Sequence, residues 1–219
     1  EACSVATLPN EMHVSASEWW RALLFFAQMT GWRIGEILAL RWDDVDLSKG
    51  TAITRARDNK GKRDEVTPLH PEVLEHIAPL KSFHPAVFPW EHDRKLLGTH
   101  FHAIQDAAGI DLPCRVTGRT GAELNALRDA AKRHKREFVQ GDAHECTATC
   151  HKYGFHDERR AFATLNAASM SRDALKALMR HKSSLTTERY INFARQLNPA
   201  VANLHVPAVK RPAVATVAN

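Results

Sequence analysis

FHDERRAFATLNAASMSRDALKALMRHKSSLTTERYI, from Phe155 to Ile191, is the stretch whose reading decides the fold. It holds a His-x-x-Arg pair (His156, Arg159), a single His181 and, nine positions further on, Tyr190. The pair alone says little. With 13 His and 19 Arg in 219 residues, about one such spacing arises by chance. What lifts the stretch above chance is the order of the four residues together with a second block far upstream, TGWRIGEILALRWDDVDL at Thr30–Leu47, which carries Arg33 in the run Thr30-Gly31-x-Arg33-x-x-Glu36.

Composition sets the frame. The chain is long enough for one or two domains with a real core. Hydrophobic content of 44% and charged content of 25% are ordinary for a soluble globular protein. No apolar run approaches the roughly 18–20 residues of a membrane span, and the start, EACSVATLPNEMH, lacks the layout of a signal peptide. A cytoplasmic protein without a membrane partner is expected. The net charge of +5 suits a phosphate-backbone partner, although composition alone is equally compatible with a protein that is merely basic. The four cysteines do not form a secreted disulfide framework in a chain of this length.

Periodicity then divides the chain. Residues 1–16 read as irregular. A helix is predicted over Ser17–Met29, with Trp20, Leu23, Leu24 and Ala27 on one stripe, closed by Gly31. A second helix follows from Trp32, with Arg33 in its first turn. TAITRAR, DNKG and KRDEVTPL read as a β-hairpin with Lys60 at the turn. Pro71 opens a short helix, and another lies near Leu96–Ala108. Gly121–Phe138 reads as a basic amphipathic helix with Leu124, Leu127, Ala131 and Phe138 on one side. Three helices close the body, at Asp157–Ala168, Ser171–Arg180 and Ser184–Leu197, with Ser171 and Ser184 as candidate N-caps. The fold class is α+β, mostly helical with a small antiparallel sheet.

Several residues have the chemistry for phosphoryl transfer. Arg33 and Arg159 could clamp a phosphate, since a planar guanidinium grips two non-bridging oxygens as charge develops. Arg159 is expected in the first turn of its helix, where free N–H groups also favour an anion. Read singly, each is more often a surface arginine or an ion-pair partner. His156 and His181, with an ordinary pKa of about 6.5, could donate to the same phosphate or move a proton, although a lone His is more often structural. Tyr190 is a candidate nucleophile. Its phenol, with a pKa of about 10, needs nearby positive charge to attack. Periodicity by itself favours core, because Tyr190, Phe193, Ala194 and Leu197 form a helical stripe. Cys114, His144, Cys146, Cys150 and His151, with His134 near them, suit zinc by type but match no standard finger. Reduced thiols that bind nothing are the expectation there, and a structural zinc is the alternative.

With these residues in order, the chain resembles the catalytic domain of the tyrosine recombinases, the phage-integrase family. The resemblance runs from about Ser17 to Gln196 and is weakest over 113–152, which reads as a Cys/His-rich insertion. The Arg33 block looks like the family's first arginine motif. Lys60-Gly61-Lys62 ahead of Pro68-Leu69 resembles its hairpin and implies Lys60 as the general acid, with Lys62 the competitor. Leu178-Met179-Arg180-His181 resembles the segment carrying the third basic residue, but Arg180 replaces the usual glycine. The spacing from His181 to Tyr190-Ile191 favours Tyr190 as nucleophile.

The resemblance implies a catalytic set of Arg33, Lys60, His156, Arg159, His181 and Tyr190, with Glu36 and Asp157 orienting the arginines. It implies site-specific recombination or integration of double-stranded DNA through a 3′-phosphotyrosyl intermediate, with no required cofactor. It further implies a homotetramer on DNA (a monomer when isolated), association with the nucleoid when acting, a linker at 1–16 from a missing N-terminal DNA-binding domain, a catalytic domain at 17–197, and a tail at 198–219. Two other readings stay open: a type IB topoisomerase-like enzyme that relaxes supercoils, and a non-catalytic DNA-binding module.

Overall fold

The computed structural model describes residues 1–188 apart from 8, 10, 11, 136–143 and 182; for Ala148 and Ser184 it describes the backbone alone. Helix α1 spans Ala16–Thr30 and forms the centre of the body. Its start is a capping box: the Ser15 hydroxyl accepts from the Glu18 N–H at 3.2 Å, and the Glu18 carboxylate accepts from the Ser15 N–H at 2.8 Å. Trp19, Trp20, Leu23, Phe26 and Ala27 are buried along it. Trp19 meets Trp20 edge-on at 5.2 Å, and Phe26 meets Trp32 and Phe88 edge-on at 5.5 Å. Each such ring stabilises by about 1.5–3 kcal/mol through burial, with the edge-to-face contacts adding to that.

Gly31 ends α1 in the left-handed conformation, φ +61°. A Cβ there would also stand 2.6 Å from the Phe162 ring, so backbone and packing both demand glycine. The turn passes directly into α2 (Ile34–Leu38), for which Arg33 is the N-cap rather than a first-turn residue. Ile37 and Leu40 are buried and Ile34 and Leu38 partly so.

The sheet has three antiparallel strands, one more than the sequence indicates: β1 (Val45–Asp46), β2 (Thr51–Thr54) and β3 (Glu65–Pro68), in that order. β2 and β3 form the predicted hairpin, with Ala52 opposite Thr67 and Thr54 opposite Glu65. Ala52, Thr54 and Thr67 face the body and are buried, while Val66 stays exposed, the alternation expected of a sheet covered on one face. Helix α3 (Pro71–Ile77), with Pro71 at its first position, and α4 (Arg94–Ala107), capped by Asp93, follow. A short 3-10 turn at Ala2–Val5 packs on α1 and α4, and the Trp20 indole donates to the Thr7 carbonyl at 2.9 Å, so the N-terminal stretch is less irregular than its sequence suggests.

Helix α5 (Gly121–Arg133) stops short of the predicted end, and residues 136–143 lie outside the described set. Among the described residues of its expected apolar side Leu124 is buried, Ala131 partly buried and Leu127 exposed; Phe138 lies outside the described residues. Helices α6 (Phe155–Asn166), α7 (Arg172–Leu178) and α8 (Ser184–Glu188) complete the described fold. Phe162 and Ala163 from α6 pack with Leu175 and Met179 in a second apolar cluster. Ser171 caps α7 as predicted, accepting from Ala174 N–H at 3.1 Å, whereas Ser184 is the first residue of α8. No helix among the described residues is long and apolar enough to cross a membrane.

Candidate active site

The site begins with the turn after α1. Glu36, nearly buried on α2, accepts from the Arg33 backbone N–H at 3.1 Å and from its guanidinium at 3.0 Å. It therefore closes the N-terminus of α2 and orients Arg33 in one stroke, and Arg33 remains partly open to solvent. Glu36 also receives the Arg180 guanidinium, from a residue 144 positions away.

Arg180 is where this chain departs from its resemblance, and the structure shows what the departure does. Helix α7 ends in a Schellman motif: His181 N–H donates to the Lys176 carbonyl at 3.1 Å, and Arg180 N–H to the Ala177 carbonyl at 2.9 Å. That motif needs a left-handed residue, and Arg180 supplies it at φ +54°, a conformation a glycine adopts freely and an arginine at a cost of about 1–2 kcal/mol. The turn is thus unchanged. The side chain lies over the Trp32 ring, 4.4 Å from its centroid, pairs with Glu36, and approaches Glu65 on β3 at 3.5 Å. Arg180 ties α2, the hairpin and the end of α7 together. Arg180→Gly should therefore lower unfolding free energy by about 2–4 kcal/mol despite relieving the turn, because it breaks a buried ion pair. Arg180→Ala should lose about 1 kcal/mol more, which is the left-handed strain. Urea denaturation of the two variants measures both; a glycine variant as stable as the parent contradicts the tie.

Arg159 lies in the second turn of α6, not the first, and is 1% exposed. Its guanidinium donates to the Gly31 and Met179 carbonyls and to His181 Nε2 at 2.8 Å. An arginine has no acceptor, so Nε2 of His181 must accept. The imidazole proton then sits on Nδ1, which donates to the Thr187 hydroxyl at 3.0 Å. His181 is thereby a neutral ring of defined tautomer that holds Arg159 on one side and α8 on the other. Tyr190, three positions past Thr187, lies outside the described residues.

Burial and the positive charges of Arg159, Arg33 and Arg180 push His181 down to about 4. Between that value and the ordinary 6.5 the unfolded chain binds a proton that the folded chain refuses. Stability from this group is complete above pH 6.5 and is lost as pH falls toward 4. The melting temperature of the parent should therefore drop more steeply over this window than that of His181→Gln, whose amide can accept and donate in the same places. Parallel pH–melting curves for the two would contradict the assignment. Burial, with Arg160 and Arg159 beside it, also lowers His156, which stands in the first turn of α6.

Lys60 sits on the loop between β2 and β3. Asn59, buried beneath it, donates to the Arg55 and Arg63 carbonyls at 2.8 Å, and Asp64 accepts from Ala56 N–H at 2.7 Å and from Arg55 at 2.9 Å. The loop is thus braced from inside while Lys60 is exposed. Two adjoining clefts of about 360 and 220 Å³ share Arg33, Glu36 and Lys60; the first also takes in His156 and Arg159, the second Arg180 and His181. Lys62 lines neither. All five described members of the expected set therefore face one composite cavity. Asp157 meets Arg160 at 3.7 Å and Arg115 at 3.8 Å, while Glu36 is the acid that grips Arg33. Arg94, beside Gly35, is a basic cleft residue that sequence reasoning did not select, and Arg180, noted there for replacing a glycine, joins the second cleft.

Comparison with solved structures gives the class to which this fold belongs. The chain aligns over 92% of its length with a XerH site-specific recombinase bound to palindromic difH substrate, at a TM-score of 0.57 and 16% identity. It aligns over 91% with XerA recombinase, at 0.50 and 15%. At these identities the likeness is one of fold. The chain spans 49% and 67% of those two proteins. Sequence takes the assignment further: residues 3–196 match the phage integrase family, and the chain belongs to that family, the tyrosine recombinases. No curated protein sequence matches it significantly.

Proposed function

We propose that this chain cuts and rejoins double-stranded DNA at specific sites, with Tyr190 as nucleophile. The observation that carries the reading is the convergence of Arg33, Lys60, His156, Arg159 and His181 on one cavity in a chain of this family. The Tyr190 oxygen attacks the scissile phosphorus as its phenol proton passes to solvent, the bond to the 5′-oxygen breaks, and Lys60 gives that oxygen its proton. A 3′-phosphotyrosyl bond and a free 5′-hydroxyl result. Attack by a partner strand's 5′-hydroxyl reverses the step and restores the phenol, so bond energy is retained and no ATP is consumed.

Arg33 contacts the phosphate from the open side of the cavity. Arg159 acts mainly through its charge from the buried floor, where a low local dielectric magnifies it. These cations carry the stabilisation of the developing charge, so the reaction needs no cofactor. DNA is bound by a homotetramer in the cytoplasm, on the nucleoid, with the specificity of the site residing in groove contacts.

A supercoiled plasmid bearing two attachment sites, incubated with the chain in buffer without added divalent metal or chelator, tests this. Exchange between the sites supports the reading. Relaxation without exchange would assign the chemistry to a topoisomerase, and a plasmid left supercoiled and unexchanged by the full-length protein would overturn it.

A further inference from the structure

The segment between α4 and α6 holds a second constellation, outside the phosphate cavity. Cys114 Sγ, Cys146 Sγ, Cys150 Sγ and one ring nitrogen of His144 all lie within 4.8 Å of one another, and none of the three cysteines is in a disulfide. They come from separate pieces of chain: the loop before α5, the stretch after it, and a 3-10 turn at Ala148–His151. We propose that these four side chains bind one zinc ion that staples this segment to the catalytic body.

Donor type, spacing and surroundings agree. Three thiolates and an imidazole are the soft donor set of a closed tetrahedral zinc site. Zinc–sulfur bonds of about 2.3 Å give a tetrahedron with edges of about 3.8 Å, and the His144 Nε2 to Cys150 Sγ separation is already 3.4 Å. Each sulfur also has a hydrogen-bonding group beside it, the outer support that thiolate ligands require. The Val116 N–H donates to Cys114 Sγ at 3.4 Å; the Thr117 hydroxyl lies 3.4 Å from Cys146 Sγ and the Thr147 hydroxyl 3.6 Å from Cys150 Sγ. Gly118, at φ +71°, turns the chain back so that its N–H reaches the Cys114 carbonyl at 2.8 Å, which holds the first ligand loop in shape.

Packing supplies an independent argument. Among the described residues the apolar cluster here consists of Cys114, Leu124 and Cys146, with Cys150 against it, and α5 leaves Leu127 exposed. Three of these four side chains are the proposed ligands, so the metal sits at the centre of the cluster and staples it. His151, the fifth sequence candidate, is not part of the set, because its ring nitrogens do not lie among the four converging donors; its Nδ1 is 2.9 Å from the Leu112 carbonyl. With four protein ligands no position stays open for water or substrate, so the ion is structural. On binding, the three thiols release their protons to solvent and nothing is oxidised or reduced. Cys150 precedes α6 by a few residues, so the staple braces the approach to the helix that presents His156 and Arg159.

Metal analysis of the full chain, purified under reducing conditions without chelator, should find about one zinc per chain. Refolding with cobalt should give the intense thiolate-to-metal and d–d absorption of a tetrahedral thiolate site. Cys146→Ser should lose both signals and His151→Ala keep both. If Cys146→Ser does not fold, the parent's zinc content and cobalt spectrum decide. A parent without stoichiometric zinc and without the cobalt bands overturns the proposal, as does a His151→Ala variant that loses the metal while His144→Ala retains it.

Discussion

Arg159→Ala is expected to slow strand cleavage by about 10²–10³-fold, the usual effect of removing one preorganised charge-stabilising donor. Stability should fall as well. The side chain is nearly fully buried and bridges Gly31 at the end of α1, Met179 at the end of α7 and His181. Its removal leaves buried acceptors without a donor, at about 1–3 kcal/mol each. Arg159→Lys separates the two effects. It keeps the positive charge but cannot make three divergent contacts from a planar fork, so it should recover part of the rate and little of the stability. Single-turnover cleavage of a nicked duplex, at a temperature where circular dichroism shows both variants folded, measures this. A rate for Arg159→Ala within a few-fold of the parent would remove Arg159 from the charge-stabilising set.

Arg33→Ala should reduce cleavage by a similar factor, about 10²-fold, with a different stability signature. Arg33 remains partly solvent-exposed, and Glu36 keeps its bond to Arg180 when the Arg33 side chain is lost. The Arg33 backbone N–H also still has Glu36 as its acceptor. Loss of stability should therefore be about 1 kcal/mol or less, the range of partly exposed ion pairs. The contrast is the test: two arginines with comparable effects on rate, of which only one is a fold determinant. A large fall in melting temperature for Arg33→Ala, with cleavage undiminished once folded, would reverse their roles.

Much of this was legible in the sequence because the relevant signals are local. The α1 stripe, its Gly31 stop, the β-branched hairpin and Ser171 each follow from periodicity or capping chemistry within a few residues. Where the signal was absent, the reading erred. β1 is two residues long and has no period to detect. The end of α7 was set too late because the residue in the left-handed position is Arg180, which does not announce a stop as glycine would. Leu127 falls on the apolar stripe of α5 by period, yet it is exposed.

The site divides in the same way. Its residue types and order were recognisable along the chain, but their partners were not. Arg159 meets Gly31 across 128 positions and Arg180 meets Glu36 across 144. Nothing local in either segment encodes such a pairing. Asn59, by contrast, stands directly before Lys60, and a buried Asn in a hairpin loop with its amide turned to the backbone is a recurrent bracing device. That signal was available. Likewise the Cys and His residues were visible as a group, while which four of them converge required the arrangement of the donors in space.

The central claim is that Tyr190 forms a covalent bond to DNA. A nicked suicide duplex carrying the attachment site, incubated with the full-length protein and run on a denaturing gel beside Tyr190→Phe, tests it most directly. A DNA–protein adduct with the parent and none with the variant is the predicted result. An adduct that persists in Tyr190→Phe, or its absence with a full-length protein that binds the same duplex, would contradict the account.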